Sequence, residues 1–270
     1  MQTSIYCEVS SQESNSPYYN IDHNAYCYIG TNKINHDTLI VGWDDSYPAE
    51  NFRTQPEGSG AWLCMNSWGE KFGDGGYFWV SYYDSNVGIY NAAYTGIEDT
   101  DQYDRIYQAD ECGWVGQLGY GEEDAYFANL YTAESDELLE AVGFYAVVPD
   151  TSYEVYVVNR VTGETDLTFQ TKAASGSFVN AGYYTVSLEQ PVKLSEGERF
   201  AVIMYVHTPG CQRPVAVEYS SDDGAVIADL SDGEGYISMK GTSWQSAEEK
   251  YQCNLCLKAY TSLEESKKDE

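Results

Sequence analysis

Two short motifs carry side chains that could do chemistry. Asn35-His36 stands just before an apolar run at residues 38–43, and Asn66-Ser67-Trp68-Gly69 follows a second apolar run at residues 61–65. Imidazole is the side chain whose unperturbed pKa lies nearest neutral pH, so a histidine can take up and release a proton during a reaction. A single histidine before a strand is more often an ordinary surface residue, and the pattern downstream of His36 is what makes it a candidate.

Three predicted strands would position these motifs. Residues 38–43 form a continuous run of β-branched and aromatic residues, which predicts a strand that is buried on both faces. Residues 44–59 are polar and contain proline, so we expect a surface loop. The second strand covers residues 61–65, and a glycine-rich turn at residues 73–76 leads into a third strand at residues 77–83.

Residues 1–96 resemble the C-terminal, β-rich half of the papain family of cysteine peptidases. The resemblance rests on Asn-His opening a strand that ends in Val-Gly-Trp, then Asn-Ser-Trp-Gly, then Gly-Asp-Gly-Gly-Tyr. It implies that His36 is the general base and acid and that Asn66 orients its ring. It also implies that Trp68 shields their hydrogen bond from water and that Asn35 borders the substrate cleft and offers its backbone carbonyl to an extended peptide. The structural alternative is that Asn66 caps a turn and that Trp68 is a core residue.

The third member of a papain-type triad, the nucleophilic cysteine, has no counterpart before His36. In the family it lies in a Cys-Gly-Ser-Cys-Trp motif that precedes the histidine. Cys7 and Cys27 lie in strand-like or tyrosine-rich contexts without the helix N-terminus that lowers a thiol pKa, and Cys112 is surrounded by acids that raise it. Removing the nucleophile of a serine protease triad lowers kcat by about six orders of magnitude. We therefore predict that this chain alone is close to inert.

The second half of the sequence has a different character. Acidic residues replace the apolar runs at residues 97–104, where we predict a linker. Residues 105–262 contain short strand-like segments separated by turn signals such as TGET and SEGE, without a helical pattern between them, which is typical of a β-sandwich or jelly roll. The predicted fold class is therefore mainly β, and residues 263–270 are predicted to be a charged tail.

One of these predicted strands gives a specific expectation about the core. Strict alternation over residues 199–206 places four apolar side chains on one face, namely Phe200, Val202, Met204 and Val206. We expect this face to line the core of the sandwich.

Residues 105–262 resemble the lectin-like β-sandwich that follows papain-type domains in some bacterial surface peptidases. The stretches that carry the resemblance are YDRIYQAD followed by CGW, ELLEAVGFYAVVPDTSYEVYV, GYYTVSLEQPVKLSEGERFAVIMYV and the closing CNLCLKAYT. Such a domain implies a glycan ligand, and Trp114, Tyr236 and Trp244 could stack on sugar rings. The alternative is that they are core or rim aromatics in a chain with 26 tyrosines.

Composition excludes several classes of partner. The 43 acidic and 14 basic residues give a formal net charge of −29, which disfavours binding to nucleic acid. The longest apolar run, residues 141–148, is too short to cross a bilayer. No signal peptide follows Met1, as expected if residue 1 lies inside a longer secreted precursor. The number of cysteines, seven, is odd, so at least one is expected to be unpaired.

No metal site or other cofactor is assigned from the sequence. Cys253 and Cys256 form a single CxxC without a second pair or a nearby histidine, which is weak evidence for zinc. The acids Asp222, Asp223, Asp232 and Glu234 do not match the spacing of an EF-hand.

The leading hypothesis is the C-terminal portion of a secreted or cell-surface papain-like cysteine peptidase that acts on a protein or peptide substrate. The alternative is a non-catalytic adhesion module that binds carbohydrate or protein and retains a remnant of the peptidase. A third possibility is that a separate chain supplies the helical half with the nucleophile. A half-domain without its helical partner should expose apolar surface, so we also expect dimerisation through that face.

Overall fold

The computed structural model describes residues 1–8, 16–169, 172–222, 224–231 and 233–264. It is mainly β, which confirms the predicted fold class. The chain divides into two compact units, Met1–Ile97 (unit 1) and Glu98–Glu270 (unit 2). None of the helices in the described ranges has the length and apolar composition needed to cross a membrane.

Unit 1 is built on one seven-stranded sheet. Its strands are β1 (Gln2–Ile5), β2 (Tyr19–Asn20), β3 (Ala25–Tyr26), β4 (His36–Asp44), β5 (Ala61–Met65), β6 (Tyr77–Ser81) and β7 (Asn91–Ala92). They lie in the order β2-β3-β6-β5-β4-β1-β7, in which β6, β5, β4 and β1 are successively antiparallel and β3 is parallel to β6. The three strands predicted around the two motifs therefore lie side by side as β4, β5 and β6.

The core of unit 1 is rich in tyrosine and covers one face of the sheet. Strand β4 contributes Ile40 and strand β6 contributes Phe78 and Val80, and these side chains pack against Tyr26 and Phe72. Side chains alternate along β4 as far as a β-bulge at Val41, so Leu39 faces the opposite way, whereas Trp43 pairs with Trp62 on the core side. A second cluster, with Tyr47, Phe52 and Trp79, covers part of the opposite face.

The prediction that the first apolar strand is buried on both faces is wrong. Leu39, Val41 and Trp43 of β4 are 36%, 53% and 67% exposed, and Met65 opposite Leu39 on β5 is 37% exposed. Among the residues of unit 1 that the structure describes, none covers Leu39, Val41 and Met65 fully, so residues with the composition of a buried strand remain in contact with solvent. We call the surface formed by Leu39, Val41 and Met65 the apolar face of unit 1.

The glycine-rich turn between β5 and β6 depends on its glycines. Gly73 has a φ of +60°, and a Cβ placed on it would lie 2.1 Å from the carbonyl oxygen of Tyr77. A side chain at this position would therefore collide with backbone that cannot move independently of the turn. The turn brings the Gly76 carbonyl oxygen within 2.9 Å of the Asn66 backbone nitrogen, whose N–H donates a hydrogen bond to it.

Unit 2 is a β-sandwich built from three sheets, and its described residues contain one short α-helix, α1 (Ala247–Tyr251). Its strands are β8 (Arg105–Tyr107), β9 (Gly116–Leu118), β10 (Asp124–Thr132), β11 (Glu137–Ala146), β12 (Thr151–Asn159), β13 (Lys172–Phe178), β14 (Gly182–Leu194), β15 (Arg199–His207), β16 (Val215–Glu218), β17 (Gly235–Ser238), β18 (Gln245–Ser246), β19 (Asn254–Leu255) and β20 (Leu257–Leu263). They form a six-stranded sheet (β13-β12-β15-β10-β17-β18), a four-stranded sheet (β14-β11-β20-β8) and a three-stranded sheet (β19-β16-β9).

The core of unit 2 confirms the alternation predicted for residues 199–206. The side chains predicted to share a face, Phe200, Val202, Met204 and Val206, are all at most 1% exposed and belong to the main core cluster, together with Phe144 of the four-stranded sheet. Sequence reasoning missed strand β13, whose KAASGSF sequence has little apolar character, and helix α1. Both depend on pairing or packing with distant segments rather than on local propensity.

Candidate active site

Strand pairing brings the two chemical motifs together. Leu39 of β4 lies opposite Met65 of β5, and the Thr38 hydroxyl donates a 2.7 Å hydrogen bond to the Met65 carbonyl. His36 begins β4 and Asn66 is the residue after the end of β5. Antiparallel pairing in this register therefore places both at the same end of the strand pair.

The His36 ring is hydrogen bonded to the Asn66 side chain. The distance between His36 Nε2 and Asn66 Oδ1 is 2.9 Å, and Asn66 is only 8% exposed. The Ser67 backbone N–H also donates to Asn66 Oδ1, at 2.8 Å, which identifies that atom as the oxygen of the amide. His36 must therefore donate from Nε2, so the neutral ring has an unprotonated Nδ1 that can accept a proton.

Trp68 lies over this hydrogen-bonded pair. The centroids of the His36 and Trp68 rings are 4.9 Å apart with an interplanar angle of 35°. Trp68 in turn makes an edge contact with Phe72, which stacks on Tyr19 in the core of unit 1. The indole is thus fixed by the core and covers one side of the imidazole.

Asn35 is exposed, and its side chain is hydrogen bonded to the backbone of Cys7. Its side chain accepts a hydrogen bond from the Cys7 backbone N–H at 2.6 Å and donates one to the Cys7 carbonyl at 3.0 Å. The Asn35 backbone N–H donates to the Ile5 carbonyl. The side chain therefore continues the hydrogen bonding between β1 and β4 beyond the end of the strands, and it fixes the backbone just before His36.

The thiols of unit 1 are unsuited to act as the nucleophile. Cys27 and Cys64 are fully buried, and burial raises the pKa of the Cys27 thiol to about 11 and that of the Cys64 thiol to about 12. Cys7 packs against the tyrosine-rich core. Within the ranges that the structure describes, no group is hydrogen bonded to Nδ1 of His36.

Cys112 of unit 2 is exposed, and its environment opposes ionisation. Its backbone N–H donates to the carboxylate of Glu218. The pKa of the Cys112 thiol is raised by partial desolvation and by the nearby charges of Glu218 and Glu111. The sequence-based expectation that acids would raise the pKa of this thiol therefore agrees with its surroundings.

A cavity of about 230 Å³ adjoins the His36–Asn66 pair. The residues that line it come from the starts of β1 and β4 and from the end of β5, namely Gln2, Asp37, Thr38, Leu39, Met65, Asn66 and Ser67. Leu39 and Met65 also belong to the apolar face, so the cavity and that face are continuous. Asp37 contributes a carboxylate that accepts a 2.6 Å hydrogen bond from the Ser4 hydroxyl.

The three aromatic residues considered for sugar stacking do not form one site. Trp114 is 39% exposed and packs against Tyr145 of the four-stranded sheet. Tyr236 and Trp244 instead pack on the outer face of the six-stranded sheet, where Trp244 stacks on Phe169 with centroids 6.3 Å apart. Only the latter two could contribute to the same surface.

The residues considered as metal ligands are also separated. Cys253 lies in the main core, whereas Cys256 belongs to a small cluster with Val147 and Ala216. Asp223 and Asp232 lie outside the described residues. Across the rest of the chain, as far as the structure describes it, no three histidine, cysteine or carboxylate side chains are grouped as ligands of one ion.

Comparison with protein families divides the chain in the same order as the sequence motifs. Residues 3–97 match the model of the papain family cysteine protease, and residues 106–261 match the model of the lectin like domain. No curated protein is similar enough in sequence to count as a match.

Two solved structures are similar to the whole chain. One is the crystal structure of the cysteine protease and lectin-like domains of Cwp84, a surface layer associated protein of Clostridium difficile, with 27% sequence identity and a TM-score of 0.76. The other is a variant of the clostridial cysteine protease Cwp84 after propeptide cleavage, with 29% identity and a TM-score of 0.78. Each similarity covers 97% of this chain but only 58% and 65% of the respective Cwp84 chains.

Proposed function

The chain belongs to the lectin-like domain family and carries the C-terminal part of a papain family cysteine protease before that domain, and from this premise we propose that unit 1 supplies the base of a cysteine peptidase. The observation that carries the proposal is the bond between His36 Nε2 and Asn66 Oδ1. It fixes the tautomer in which Nδ1 is the proton acceptor, as a Cys-His-Asn peptidase requires.

In the proposed reaction His36 moves protons at Nδ1. It takes the proton from a cysteine thiol, and the thiolate electron pair forms a bond to the carbonyl carbon of the peptide. The C–N bond then breaks as the imidazolium returns the proton to the leaving amine, which leaves a thioester. Water hydrolyses the thioester while Nδ1 accepts its proton, and the thiol is restored.

Asn66, Trp68 and Asn35 have supporting roles in this proposal. Asn66 holds the ring orientation throughout, since its oxygen is itself fixed by the Ser67 amide. Trp68 excludes water from the His36–Asn66 bond and so strengthens it. Asn35, exposed and adjacent to His36, borders the substrate cleft, and its backbone carbonyl accepts a hydrogen bond from an extended substrate peptide.

The nucleophile comes from the helical half of the peptidase, which we propose packs on the apolar face of unit 1. The exposure of Leu39, Val41 and Met65 supports this, because contiguous exposed apolar surface marks an interaction site. The helical half either precedes this sequence in a longer protein or is a separate chain.

Reconstitution tests the peptidase proposal. The helical half of Cwp84, which carries the cysteine, would be expressed alone, with this chain, and with a His36→Ala variant of this chain. We expect an epoxide thiol inhibitor to label the cysteine, and a fluorogenic peptide to be cleaved, only when the wild-type chain is present. The proposal fails if labelling and cleavage are the same with and without this chain, which would favour a remnant peptidase in an adhesion module.

We propose carbohydrate binding as a second function, located in unit 2. Its support is membership of the lectin-like family together with the exposed ring of Trp114, and the sequence analysis adds Tyr236 and Trp244 as stacking candidates. A glycan array probed with the full chain tests this function, and an array without any binding would refute it.

We also propose that the protein acts at the cell surface. The support is the similarity to Cwp84, which is described as a surface layer associated protein. Fractionation of the producing cells with an antibody against unit 2 tests this, and recovery of the protein only from the cytoplasm would refute it.

A further inference from the structure

The outer face of the six-stranded sheet in unit 2 is apolar at one end of the strands and polar at the other end. At one end β10 and β15 carry apolar residues, including Leu130 and Ile203, and the segment with Val161 and Leu167 covers them in a second small core. At the other end the outward positions of β10, β12 and β15 hold polar and aromatic residues, namely Asp124, Tyr126, Ser152, Glu154, Tyr205 and His207. We call these six residues the open patch.

The register of the sheet makes the open patch contiguous. One row across the three strands is Ser152, His207 and Asp124, because His207 pairs with both of its neighbours. The next row is Glu154, Tyr205 and Tyr126. The six residues are all half-buried, so the patch is a solvent-accessible surface on rigid strands rather than on a loop.

Asp124 and His207 form a pair with unused hydrogen-bonding capacity. Asp124 Oδ1 accepts hydrogen bonds from the Tyr205 hydroxyl at 2.6 Å and from His207 Nδ1 at 3.1 Å. Because a carboxylate only accepts, His207 donates from Nδ1 and its Nε2 is an acceptor in the neutral ring. Over the described part of the chain, neither Asp124 Oδ2 nor His207 Nε2 has a hydrogen-bond partner, and the two side chains are 49% and 39% exposed.

The second row of residues contributes a carboxyl group, from Glu154, and a hydroxyl donor, from Tyr205. Glu154 accepts from Lys172 at 2.5 Å and from the Tyr156 hydroxyl, and these bonds hold the pKa of its carboxyl below the usual range. Burial and the neighbouring Asp124 raise the pKa of Tyr205 well above its usual range, so its hydroxyl keeps its proton and continues to donate to Asp124. The patch therefore contains two carboxyl groups, those of Asp124 and Glu154, and the side chain of Lys172 lies beside it.

Aromatic surface lies beside these acceptors. The rings of Tyr126 and Tyr205 have centroids 4.9 Å apart and an interplanar angle of 36°. Phe169 meets the edge of Tyr126 at 5.2 Å and supports it from the side of the small core, to which Tyr236 and Trp244 also belong. The patch thus combines ring faces with acceptors within one stretch of the sheet.

We propose that the open patch is a binding site for a neutral oligosaccharide, a proposal that rests on the carbohydrate-binding function proposed for unit 2. Sugars present C–H groups that pack on aromatic rings and hydroxyls that donate to carboxylate and imidazole acceptors. The excess of carboxylates in the patch and the net charge of −29 repel sulfated, phosphorylated or uronic acid polymers. The ligand class that fits both features is an uncharged glycan.

Titration calorimetry of the full chain tests the assignment. The probes are four neutral hexasaccharides (chitohexaose, cellohexaose, xylohexaose and mannohexaose) and a heparin hexasaccharide as the anionic probe. We expect at least one neutral probe to bind and the heparin probe not to bind. Asp124→Asn should weaken binding about tenfold or more, because it removes the charge of an acceptor for sugar hydroxyls. Tyr205→Ala should weaken binding by a similar factor, because it removes a ring on which the sugar packs. Tyr205→Phe, which keeps the ring, should have a smaller effect.

Tyr219→Ala is the matched control and should leave binding unchanged, because Tyr219 is exposed and follows β16 of the three-stranded sheet. Trp114→Ala tests the alternative site on the four-stranded sheet. Thermal unfolding of each variant checks that the fold is retained. Binding that is unchanged in Asp124→Asn and Tyr205→Ala but lost in Trp114→Ala would overturn the open patch and leave carbohydrate binding intact. Binding of heparin alone would overturn the neutral ligand class and with it the proposal. If no probe binds, both carbohydrate proposals fail, whereas the peptidase proposal is unaffected.

Discussion

Strands β4 of unit 1 and β15 of unit 2 are both nine residues long and central in their sheets, yet their environments differ. In β15 the apolar residues on both faces are buried, including Val202 toward the main core and Ile203 toward the small core. In β4 Ile40 is buried in the core, whereas Val41 on the other face is 53% exposed. Unit 2 thus covers both faces of its central strand, whereas the described residues of unit 1 cover the second face of its sheet only in part, through the cluster with Tyr47 and Phe52.

The largest expected effect is on the kcat of the His36–Asn66 site, which lies beside the apolar face of unit 1. In a peptidase reconstituted with the helical half, His36→Ala should lower kcat by about six orders of magnitude, as removal of the base does in a serine protease triad. Measurement of kcat and KM with a peptide substrate checks this. Oligosaccharide binding by unit 2 serves as the control and should not change. A loss of less than tenfold would mean that His36 is not the base.

A second prediction compares a buried side chain of unit 2 with an exposed side chain of unit 1. Phe144 is fully buried in unit 2 and contacts Tyr153, so Phe144→Ala should reduce the free energy of unfolding by about 3–5 kcal/mol. Val41 of β4 is 53% exposed, and Val41→Ala should change that free energy by no more than about 0.5 kcal/mol. Urea denaturation followed by circular dichroism measures both. Equal losses would show that the apolar face of unit 1 is covered in solution.

A third prediction concerns self-association through the apolar face. We expect the isolated chain to dimerise through this face, because it exposes contiguous apolar surface. Val41→Ser should then raise the dimer dissociation constant about tenfold, equivalent to ~1.4 kcal/mol. Sedimentation equilibrium of both proteins measures this constant.

The control for Val41→Ser is Ile97→Ser, which replaces an apolar residue that is 90% exposed but lies outside the sheet. This variant should associate like the wild type. A wild-type chain that sediments as a compact monomer at all concentrations would contradict the prediction.

The smallest expected effect is on the alkylation rate of Cys112, a thiol that is exposed but that we expect to react slowly. Cys112 is exposed, but the raised pKa of its thiol reduces the thiolate fraction near pH 8. Its alkylation by iodoacetamide should be a few-fold slower at this pH than that of a free cysteine, and the rate should still increase with pH where an ordinary thiol has levelled off. Mass spectrometry of the peptide gives the rates. Alkylation as fast as that of free cysteine would contradict the assigned effect of Glu218 and Glu111.

Much of the fold could be predicted because it follows from local patterns. Alternation over residues 199–206 identified the core face of β15, and the motifs around His36 and Asn66 identified the family of unit 1. Strand β13 escaped prediction because KAASGSF has few apolar residues, and it is held as an edge strand by pairing with β12. The exposure of one face of β4 was not predicted, because its apolar residues have the composition of a strand that is covered on both faces.

The site could be predicted only as residue types and an order along the chain. The sequence shows that His36 and Asn66 belong to one motif family, but it cannot show that the Ser67 amide fixes the amide oxygen and with it the imidazole tautomer. The open patch left no motif at all. Its members come from three strands and become neighbours only through the register of the sheet.

By itself the sequence determined the mainly β fold class, the identity of the two families and the candidates His36 and Asn66, because each depends on residues close together in the chain. The tertiary structure decided which face of β4 meets solvent, which nitrogen of His36 accepts a proton, and which polar residues share the outer face of the six-stranded sheet. These features depend on hydrogen bonds and packing between segments far apart in sequence, and no local pattern records such contacts.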